Sequence, residues 1–471
     1  MKIAVVGGGI SGLSAAFYAL RTANDVCVTL FESQSRLGGV LQTTRQDDYL
    51  VEHAADNFLH GPTAPWGEQL CHDLGFSNEI IPTSEQNRGA NVVWRGNFYP
   101  VPQGFQLMAP SQMSSIMTSG LLTPAGKLRL CWEPFVCERA GDDRDESLTE
   151  FATRRLGAEA FQRLVQPLVS GIYTADPDLL SASAALPQMV EMVQRHGSLY
   201  RAMRRRQKQR RTSNKTRGAR YGLFVAPRGG MQQLVDKLSA CLQLAELRMG
   251  VGVETVEPFE EGGWTVVAGG HRSRFDAVVL ALPAYHAATL LSRTDPALSD
   301  LLNGISYASS AVLALGVHRD QIQRPLNAFG SVVPIVEGRQ ILAISYSSLK
   351  FPGRAPTDRV LMRVFLGGAL QPELVDLPDD QLYAIVWHEL KELLGLRGRS
   401  DLQRVFRWRK AMPQYNLGHL SRLNRIRERV ALQPGLFLAG NGYEGVGIPQ
   451  CVKGGKQAAE DAVTYVRGRV H

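Results

Sequence analysis

The first 32 residues contain the pattern that most restricts the fold of this chain. A short apolar run, Ile3 to Val6, is followed by glycines at positions 7, 9 and 12, by apolar residues at helical spacing, and by a second apolar run that ends at Glu32. A strand, a glycine-rich turn and a helix in this order let backbone N–H groups approach a diphosphate, and the helix N-terminus favours its negative charge. The segment therefore predicts an α/β fold with a Rossmann-like, dinucleotide-binding sheet.

Glu32 limits the kind of dinucleotide that this turn can bind. It lies twenty residues beyond Gly12, where an acidic side chain accepts hydrogen bonds from ribose hydroxyls and disfavours a 2′-phosphate. We expect the dinucleotide to contact Gly7, Gly8, Gly9, Ile10, Ser11, Gly12, Glu32 and Ser33.

Composition excludes several classes of protein. Of the 471 residues, 44% are apolar and 20% are charged, which rules out a disordered, collagen-like or small disulfide-stapled chain. The six cysteines form no CxxC pair and have no zinc-site spacing, so we expect no metal and a reducing, cytoplasmic location. No apolar stretch is long enough to span a membrane and no leader precedes the first strand, which leaves peripheral attachment to the cytoplasmic face open.

The net charge of +8 is local in origin. Residues 201–220 contain ten Lys or Arg and no Asp or Glu. We interpret this run as a solvated basic loop, with contact to anionic lipid headgroups or to an anionic substrate as alternatives. Because aromatic residues are not interleaved with the charges, we expect no nucleic-acid partner.

Two further motifs carry a family resemblance. Glu32 is followed by Arg36, Gly38 and Gly39, and residues 436–463 read as a strand, a glycine-rich loop and a helix that starts at Lys453. Together they resemble the signatures of the amine-oxidase-like flavoproteins, which implies a non-covalently bound FAD. The resemblance places Arg36, Gly38, Gly39 and Val40 near the cofactor, and it places the backbone of Val446, Gly447 and Ile448 at the pyrimidine edge of the flavin. Cys451 is interpreted as a packed thiol rather than a covalent flavin tether.

A narrower resemblance rests on Pro413-Gln414-Tyr415-Asn416-Leu417-Gly418-His419, on the loop from Asn441 to Cys451, and on Ser170-Gly171-Ile172-Tyr173. Nearly the whole chain is similar to the oxygen-dependent protoporphyrinogen and coproporphyrinogen oxidases. The resemblance implies six-electron oxidation of a porphyrinogen in haem biosynthesis, with dioxygen as acceptor and hydrogen peroxide as product. A homodimer and hand-off of the product to the next haem-pathway enzyme are further expectations.

The same resemblance assigns candidate roles to single residues. Around the flavin it places Ala54, Ala55, Asp56 and Asn57, where AADNF departs from the family's Gly-Pro turn, together with Val253 at the adenine and Trp408 beside the ring. In the substrate site it places the backbone of Gly171 over the tetrapyrrole, as the catalytic position, and an apolar clamp of Phe329, Val332, Ile344 and Phe365. The family's usual propionate-binding Arg is replaced by Ala90, so Arg88 and Arg95 are the candidate anchors.

The choice of substrate follows from the number of cations. Two carboxylates need few cationic partners, which favours protoporphyrinogen IX over coproporphyrinogen III, with its four carboxylates. A flavin amine oxidase, a carotenoid desaturase and a non-enzymatic FAD-stabilised membrane adaptor are the other hypotheses.

The chain divides into three predicted lobes. An FAD-binding domain is assembled from 1–90, 220–290 and 405–471, and an α+β substrate-binding domain from 91–103 and 291–404, including a helix over 379–394. A helical, membrane-docking lobe covers 104–219 and includes the basic loop 201–220. Apolar residues expected to contribute to docking are Phe105, Leu107, Met108, Met113, Ile116, Met117, Leu121 and Leu122.

Overall fold

The computed structural model describes residues 1–137, 144–212 and 224–469. Its strands are, in chain order, β1 (Lys2–Val6), β2 (Cys27–Glu32), β3 (Thr43–Gln46), β4 (Tyr49–Glu52), β5 (Phe58–Leu59), β6 (Ile80–Pro82), β7 (Asn91–Trp94), β8 (Asn97–Pro100), β9 (Phe105–Gln106), β10 (Ala109–Pro110), β11 (Phe224–Pro227), β12 (Glu246–Met249), β13 (Val253–Pro258), β14 (Trp264–Ala268), β15 (His271–Phe275), β16 (Ala277–Leu280), β17 (Tyr307–His318), β18 (Gly330–Val332), β19 (Ala343–Tyr346), β20 (Arg359–Gly367), β21 (Leu402–Pro413) and β22 (Leu436–Leu438).

Its helices are, in chain order, α1 (Ile10–Thr22), α2 (Trp66–Asp73), α3 (Met113–Thr118), α4 (Pro124–Cys131), α5 (Leu148–Leu156), α6 (Ala158–Ala160), α7 (Gln166–Tyr173), α8 (Ala182–Ala185), α9 (Pro187–His196), α10 (Leu199–Thr212), α11 (Met231–Ala240), α12 (Ala284–Leu291), α13 (Pro296–Asn303), α14 (Ser347–Lys350), α15 (Asp379–Leu394), α16 (His419–Ala431) and α17 (Ile448–Gly468).

A five-stranded parallel sheet contains the N-terminal unit, as predicted. Its strand order is β12-β2-β1-β16-β22, so its strands come from three separated parts of the chain. Helices α1 and α17 pack against each other beside this sheet. They approach closely at Gly455, where a Cβ would lie 2.2 Å from the backbone oxygen of Ser11. The N-terminal and C-terminal segments of the chain therefore pack together beside this sheet.

A seven-stranded sheet forms the second layer, with the order β21-β17-β20-β19-β18-β7-β8. One face packs on α15, and their shared core includes Leu313, Val364 and Leu390. Helix α15 begins at Asp379 and ends at Leu394, as predicted, and Gly395 terminates it in a left-handed conformation. The boundary drawn at residue 405 is wrong for β21, since this whole strand pairs with β17 of the seven-stranded sheet.

Helices α3 to α10 surround a separate core that contains Leu130, Phe151 and Leu164. Here the expectation about apolar docking residues needs correction, because most of them pack inward. Phe105, Met108, Ile116, Leu121 and Leu122 are buried in this core. In the described ranges, no helix combines the length and apolarity needed to cross a bilayer.

The prediction of a basic loop over 201–220 is wrong for its first twelve residues, which are helical. Residues 201–212 continue α10, and 213–220 lie outside the described residues. The backbone N–H of Arg201 donates to the Ser198 hydroxyl at 3.2 Å, which caps the helix start. Leu199, Ala202 and Met203 pack into the core while Arg204 is exposed. Because Arg, Gln and Lys are good helix formers, one apolar stripe is enough to hold this segment as a helix.

Candidate functional site

The turn between β1 and α1 leaves an open cradle beside Gly9. The Gly7 N–H donates to the Phe31 carbonyl at 2.8 Å, which fixes the turn on β2. A Cβ on Gly12 would lie 1.8 Å from the Gly7 oxygen, so this position admits only glycine. A Cβ on Gly9 would meet nothing in the described chain within 4 Å beyond its own neighbours. The first-turn amides of α1, with Ile10 and Ser11, have no side-chain cap, so their N–H groups are available to a diphosphate.

Glu32 is held with its carboxylate at the same edge. Its Oε2 accepts from the Gly8 N–H at 2.7 Å and its Oε1 from the Gln34 N–H at 2.7 Å and the Ser33 hydroxyl at 3.3 Å. The backbone oxygen of Glu32 accepts from Val251 at 3.0 Å, which brings the start of β13 at Val253 to this end of the sheet. The fixed acid and the open cradle fit the ribose and diphosphate of an ADP group.

Arg36 shapes the neighbouring turn through backbone carbonyls. Its guanidinium donates to the oxygens of Leu37 at 3.2 Å and Gly39 at 2.5 Å. Gly38 and Gly39 both have positive φ, and the Gly38 N–H donates to Gly8 at 2.8 Å. The twin glycines therefore lie against the cradle. The side chain of Val40, next in the chain, is 43% exposed.

The C-terminal motif has the predicted order of strand, loop and helix. Helix α17 begins at Ile448, five residues before the predicted start at Lys453, because Gly447 caps it and Pro449 is well suited to the first turn. Strand β5 packs against α17, and Val446 packs against the core of the helical lobe. Cys451 is buried, and burial raises the pKa of its thiol to about 11, in keeping with a packed thiol.

The segment after β4 lies against the seven-stranded sheet. The Trp408 indole N–H donates to the His53 carbonyl at 2.9 Å, and the His53 ring stacks on Phe406 at 3.9 Å. Burial and nearby guanidinium groups lower the pKa of His53 to about 4, so the ring is neutral at physiological pH. Ala54 and Ala55 follow at once, partly buried, and Ala55 packs against the core of the parallel sheet.

A buried ionic cluster fixes the rest of this segment. Asp56 lies 3.2 Å from the Lys350 ammonium and 3.4 Å from the Arg363 guanidinium. Arg363 also donates to the Ala54 carbonyl, and Asn57 to the Asp56 carboxylate. Burial alone would raise the pKa of Asp56, but the two cations outweigh it and hold the value at about 2. Burial lowers the pKa of Lys350 from its usual range.

The four residues of the predicted apolar clamp do not all lie on one face of the sheet. Val332, Ala343 and Phe365 are in register across three strands, so their side chains share the face that carries Arg363. Gly171 lies beside this face, since a Cβ on it would be 4.0 Å from Val332. Ile344 pairs with Val364 and lies in the core with α15 on the opposite face. Its predicted place in the clamp is therefore wrong.

Phe329 is buried, and its backbone N–H donates to Gly89 at 2.9 Å, which brings it next to Arg88. Arg88 is partly buried, and its Nε donates to the Ser84 carbonyl at 3.1 Å. Arg95 is exposed in the β7–β8 turn, where its backbone N–H donates to the Glu337 carboxylate at 2.7 Å. The two arginines lie beyond opposite ends of β7, so they do not form one anion-binding site.

Sequence reasoning missed several members of this arrangement. Lys350 and Arg363 lie about three hundred residues from Asp56 along the chain, and neither belongs to a motif with a local signal. Tyr415 lies inside the Pro413–His419 motif, but this motif assigns no role to the Tyr415 side chain. Within the described part of the chain, no group of three His, Cys, Asp or Glu is arranged to hold a metal ion.

Comparisons with known proteins agree with this geometry. Residues 10–463 match the family model described as flavin-containing amine oxidoreductase. Coproporphyrinogen III oxidase from Bacillus subtilis (strain 168) is 32% identical over 470 residues, covering 98% of both chains. Protoporphyrinogen oxidase 2, chloroplastic/mitochondrial, from Arabidopsis thaliana is 28% identical, covering 99% of this chain and 94% of that protein. A provisionally named protoporphyrinogen oxidase from Exiguobacterium sp. 255-15 has a structure with a TM-score of 0.85 and 28% identity, covering 98% of both chains.

The family match and the ADP-shaped cradle at Gly9 and Glu32 together identify the cofactor as FAD. The chain belongs to the flavin-containing amine oxidoreductases and, within them, to the family of protoporphyrinogen and coproporphyrinogen oxidases.

Proposed function

We propose that this protein oxidises a porphyrinogen to the corresponding porphyrin in haem biosynthesis, with dioxygen as acceptor and hydrogen peroxide as product. The observation that carries the proposal is one continuous sheet face. Trp408 pairs with Ser310, and Ser310 pairs with Gly367, so Trp408 lies on the same face as Phe365, two residues from Gly367. This face also carries Val332, and it borders Gly171 and the anchored 53–57 segment. The names and full-length coverage of the relatives support the same reaction.

FAD, when bound, supplies hydride acceptance and the reaction with dioxygen. The residues of this chain bind FAD, orient the macrocycle and exclude water. Glu32 and the N-terminus of α1 hold the ADP half. Gly171 has no side chain, so a flat macrocycle can approach its backbone, while Val332 and Phe365 exclude water from that face. The Asp56 cluster fixes the 53–57 segment, so the distance between the FAD-binding residues and the substrate face stays constant.

We propose protoporphyrinogen IX as the substrate. Arg88 is the single candidate anchor that lies beside the clamp residue Phe329, and Arg95 is turned to a different end of the sheet near the Glu337 carboxylate. Few cations suit a substrate with two carboxylates. Coproporphyrinogen III is the second candidate, because relatives at 32% identity carry that name.

The test follows porphyrin fluorescence with both porphyrinogens under air. We expect kcat/KM to be higher for protoporphyrinogen IX, and a tenfold preference for coproporphyrinogen III would overturn the substrate choice. Arg88→Ala should raise KM roughly 10- to 150-fold, corresponding to a charge-assisted hydrogen bond of about 1.5–3 kcal/mol. Arg95→Ala is the matched control and should stay within about twofold of wild type. Equal effects of the two substitutions would refute the anchor.

We also propose peripheral attachment to an anionic membrane through an aromatic patch formed by Leu128, Trp132 and Phe135. These side chains are 68%, 61% and 64% exposed, and the two rings lie 5.2 Å apart. Large apolar patches of this kind mark interaction sites, and aromatic rings suit the headgroup level. The three residues lie on α4 and the turn that follows it.

The aromatic patch is tied to the basic helix α10 by Glu133. This carboxylate accepts from the Ser198 hydroxyl at 2.6 Å and the Leu199 N–H at 2.9 Å, and it pairs with Arg155 at 2.6 Å with both side chains fully buried. Exposed Arg201 and Arg204 follow on α10. The same lobe therefore carries exposed rings and exposed arginines, the two features that favour binding to an anionic interface.

Co-sedimentation with vesicles tests the membrane proposal. Binding should require anionic phosphatidylglycerol, weaken at high salt, and fall at least about tenfold in a Trp132→Ala, Phe135→Ala double variant. Leu244→Ala is the matched control, since this side chain is 85% exposed at a remote loop. Equal binding of the double variant and the control would contradict the docking surface. Except at residue 405, the lobe boundaries remain predictions, as do the homodimer and the hand-off to a following enzyme.

A further inference from the structure

Tyr415 joins two parts of the glycine-rich loop 440–447. It is 2% exposed. Its hydroxyl donates to the backbone oxygen of Asn441 at 2.6 Å and accepts from the backbone N–H of Gly445 at 2.8 Å. One side-chain atom therefore fixes the distance between the start and the end of this loop, immediately before the N-terminus of α17.

The same residue is anchored in the helical lobe. Its backbone oxygen accepts from Ser181, at the start of α8, at 2.8 Å. Its ring stacks on His419 at 4.2 Å with an interplanar angle of 14°, and it packs against Tyr173 at 5.8 Å. Tyr173 is two residues beyond Gly171. Tyr415 thus lies between the loop assigned to the flavin and the helix assigned to the substrate.

We propose that Tyr415 is a positioning residue that holds the glycine-rich loop in its flavin-binding conformation through the two hydrogen bonds of its hydroxyl. The inference rests on the proposed placement of Val446, Gly447 and Ile448 at the flavin. Burial raises the pKa of the Tyr415 hydroxyl, so it stays protonated and remains able to donate to Asn441. Without this hydroxyl, the Asn441 oxygen and the Gly445 amide, both in partly buried residues, would lose their partner together, and the loop would relax.

The test compares Tyr415→Phe with Tyr173→Phe in the FAD-loaded protein. Both substitutions remove one hydroxyl from the same pair of packed rings, but the Tyr173 hydroxyl donates to Ala185 at 2.9 Å and does not touch the loop. In Y415F we expect the Kd of FAD to rise at least about tenfold and the flavin midpoint potential to shift. In Y173F both should match wild type, with the Kd within about twofold. Equal flavin properties in the two variants would overturn the proposal.

Hydrogen exchange in unaltered FAD-loaded protein gives a second readout that does not depend on folding of a variant. The Gly445 amide should exchange at least about tenfold more slowly than an unprotected amide, because it donates to a buried hydroxyl. Exchange at the unprotected rate would refute the inference. Neither readout uses a porphyrinogen. If wild-type protein oxidises no porphyrinogen but Y415F still shifts the flavin potential, the proposed function fails and the role of Tyr415 stands.

Discussion

Placing a side chain at Gly9 should separate cofactor binding from folding. The backbone of Gly9 is extended, with φ −72° and ψ 178°, which any residue adopts. A Cβ there would enter open space, whereas a Cβ on Gly12 would lie 1.8 Å from a backbone oxygen. Gly9→Val should therefore fold normally and Gly12→Ala should not. The open space at Gly9 is the predicted position of the FAD diphosphate.

The size of the effect follows from the contacts that the valine displaces. If it removes one charge-assisted hydrogen bond between a first-turn amide of α1 and the diphosphate, the loss is about 1.5–3 kcal/mol, or roughly 10- to 150-fold in Kd. Gly12→Ala should instead lower the free energy of unfolding by about 3 kcal/mol or more, because backbone must move to relieve the overlap.

Two measurements separate these outcomes. Kd comes from quenching of FAD fluorescence on titration with FAD-depleted protein, and the free energy of unfolding comes from urea denaturation of the same samples. Gly454→Ala is the control, because Gly454 is a helical glycine of α17 whose Cβ would meet nothing in the described chain within 4 Å. It should bind FAD normally and gain about 0.5–1 kcal/mol of stability. A G9V protein that binds FAD as tightly as wild type would refute the assignment of the cradle.

Three other perturbations have expected outcomes. His419 is buried, and burial lowers its pKa from 6.5 to about 4, so the unfolded state binds its proton first as the pH falls. The free energy of unfolding should therefore fall between pH 6.5 and pH 4, by up to about 3 kcal/mol. His419→Gln should flatten this part of a pH series of urea unfolding curves, and an unchanged slope would contradict the assignment to His419. Lys350→Met should lower the free energy of unfolding at neutral pH, because it leaves Asp56 without one of its two cations. In wild type the stabilisation by Asp56 is present above about pH 4 and is lost as the pH falls toward 2, and the variant should change this pH dependence. Calorimetry that finds no loss of stability at neutral pH would count against the ion pair. Glu133→Gln should lower the free energy of unfolding by about 3–5 kcal/mol, because it leaves Arg155 buried without a charged partner. Thermal unfolding would detect this loss, and a wild-type Tm would disprove it.

The sequence alone predicts those parts in which local spacing determines structure. The N-terminal unit follows from the glycine spacing and the position of Glu32. Helix α15 has an amphipathic pattern bounded by Pro378 and Gly395, and both of its ends agree with the prediction. Helix α10 is missed because its charge suggests a loop, although the spacing of Leu199, Ala202 and Met203 is helical.

The remaining features depend on tertiary pairing. Ile344 alternates with Ala343 and Ser345, and only the register of β19 with β20 decides which of them faces the site. Asp56 meets its cations from distant segments, so no local pattern reveals the cluster. The two candidate anchors Arg88 and Arg95 are separated by the length of β7, and the β7–β8 turn that holds Arg95 is also set by strand pairing rather than by spacing.

The proposed reaction requires that electrons pass from a porphyrinogen to the FAD of this chain. The most direct measurement is the absorbance of the bound flavin after anaerobic mixing with protoporphyrinogen IX in a stopped-flow instrument. We expect rapid bleaching of the oxidised flavin, with recovery on admitting air, and no bleaching by a primary amine such as putrescine. An oxidised spectrum that persists with both porphyrinogens, or that is bleached by the amine alone, would contradict it.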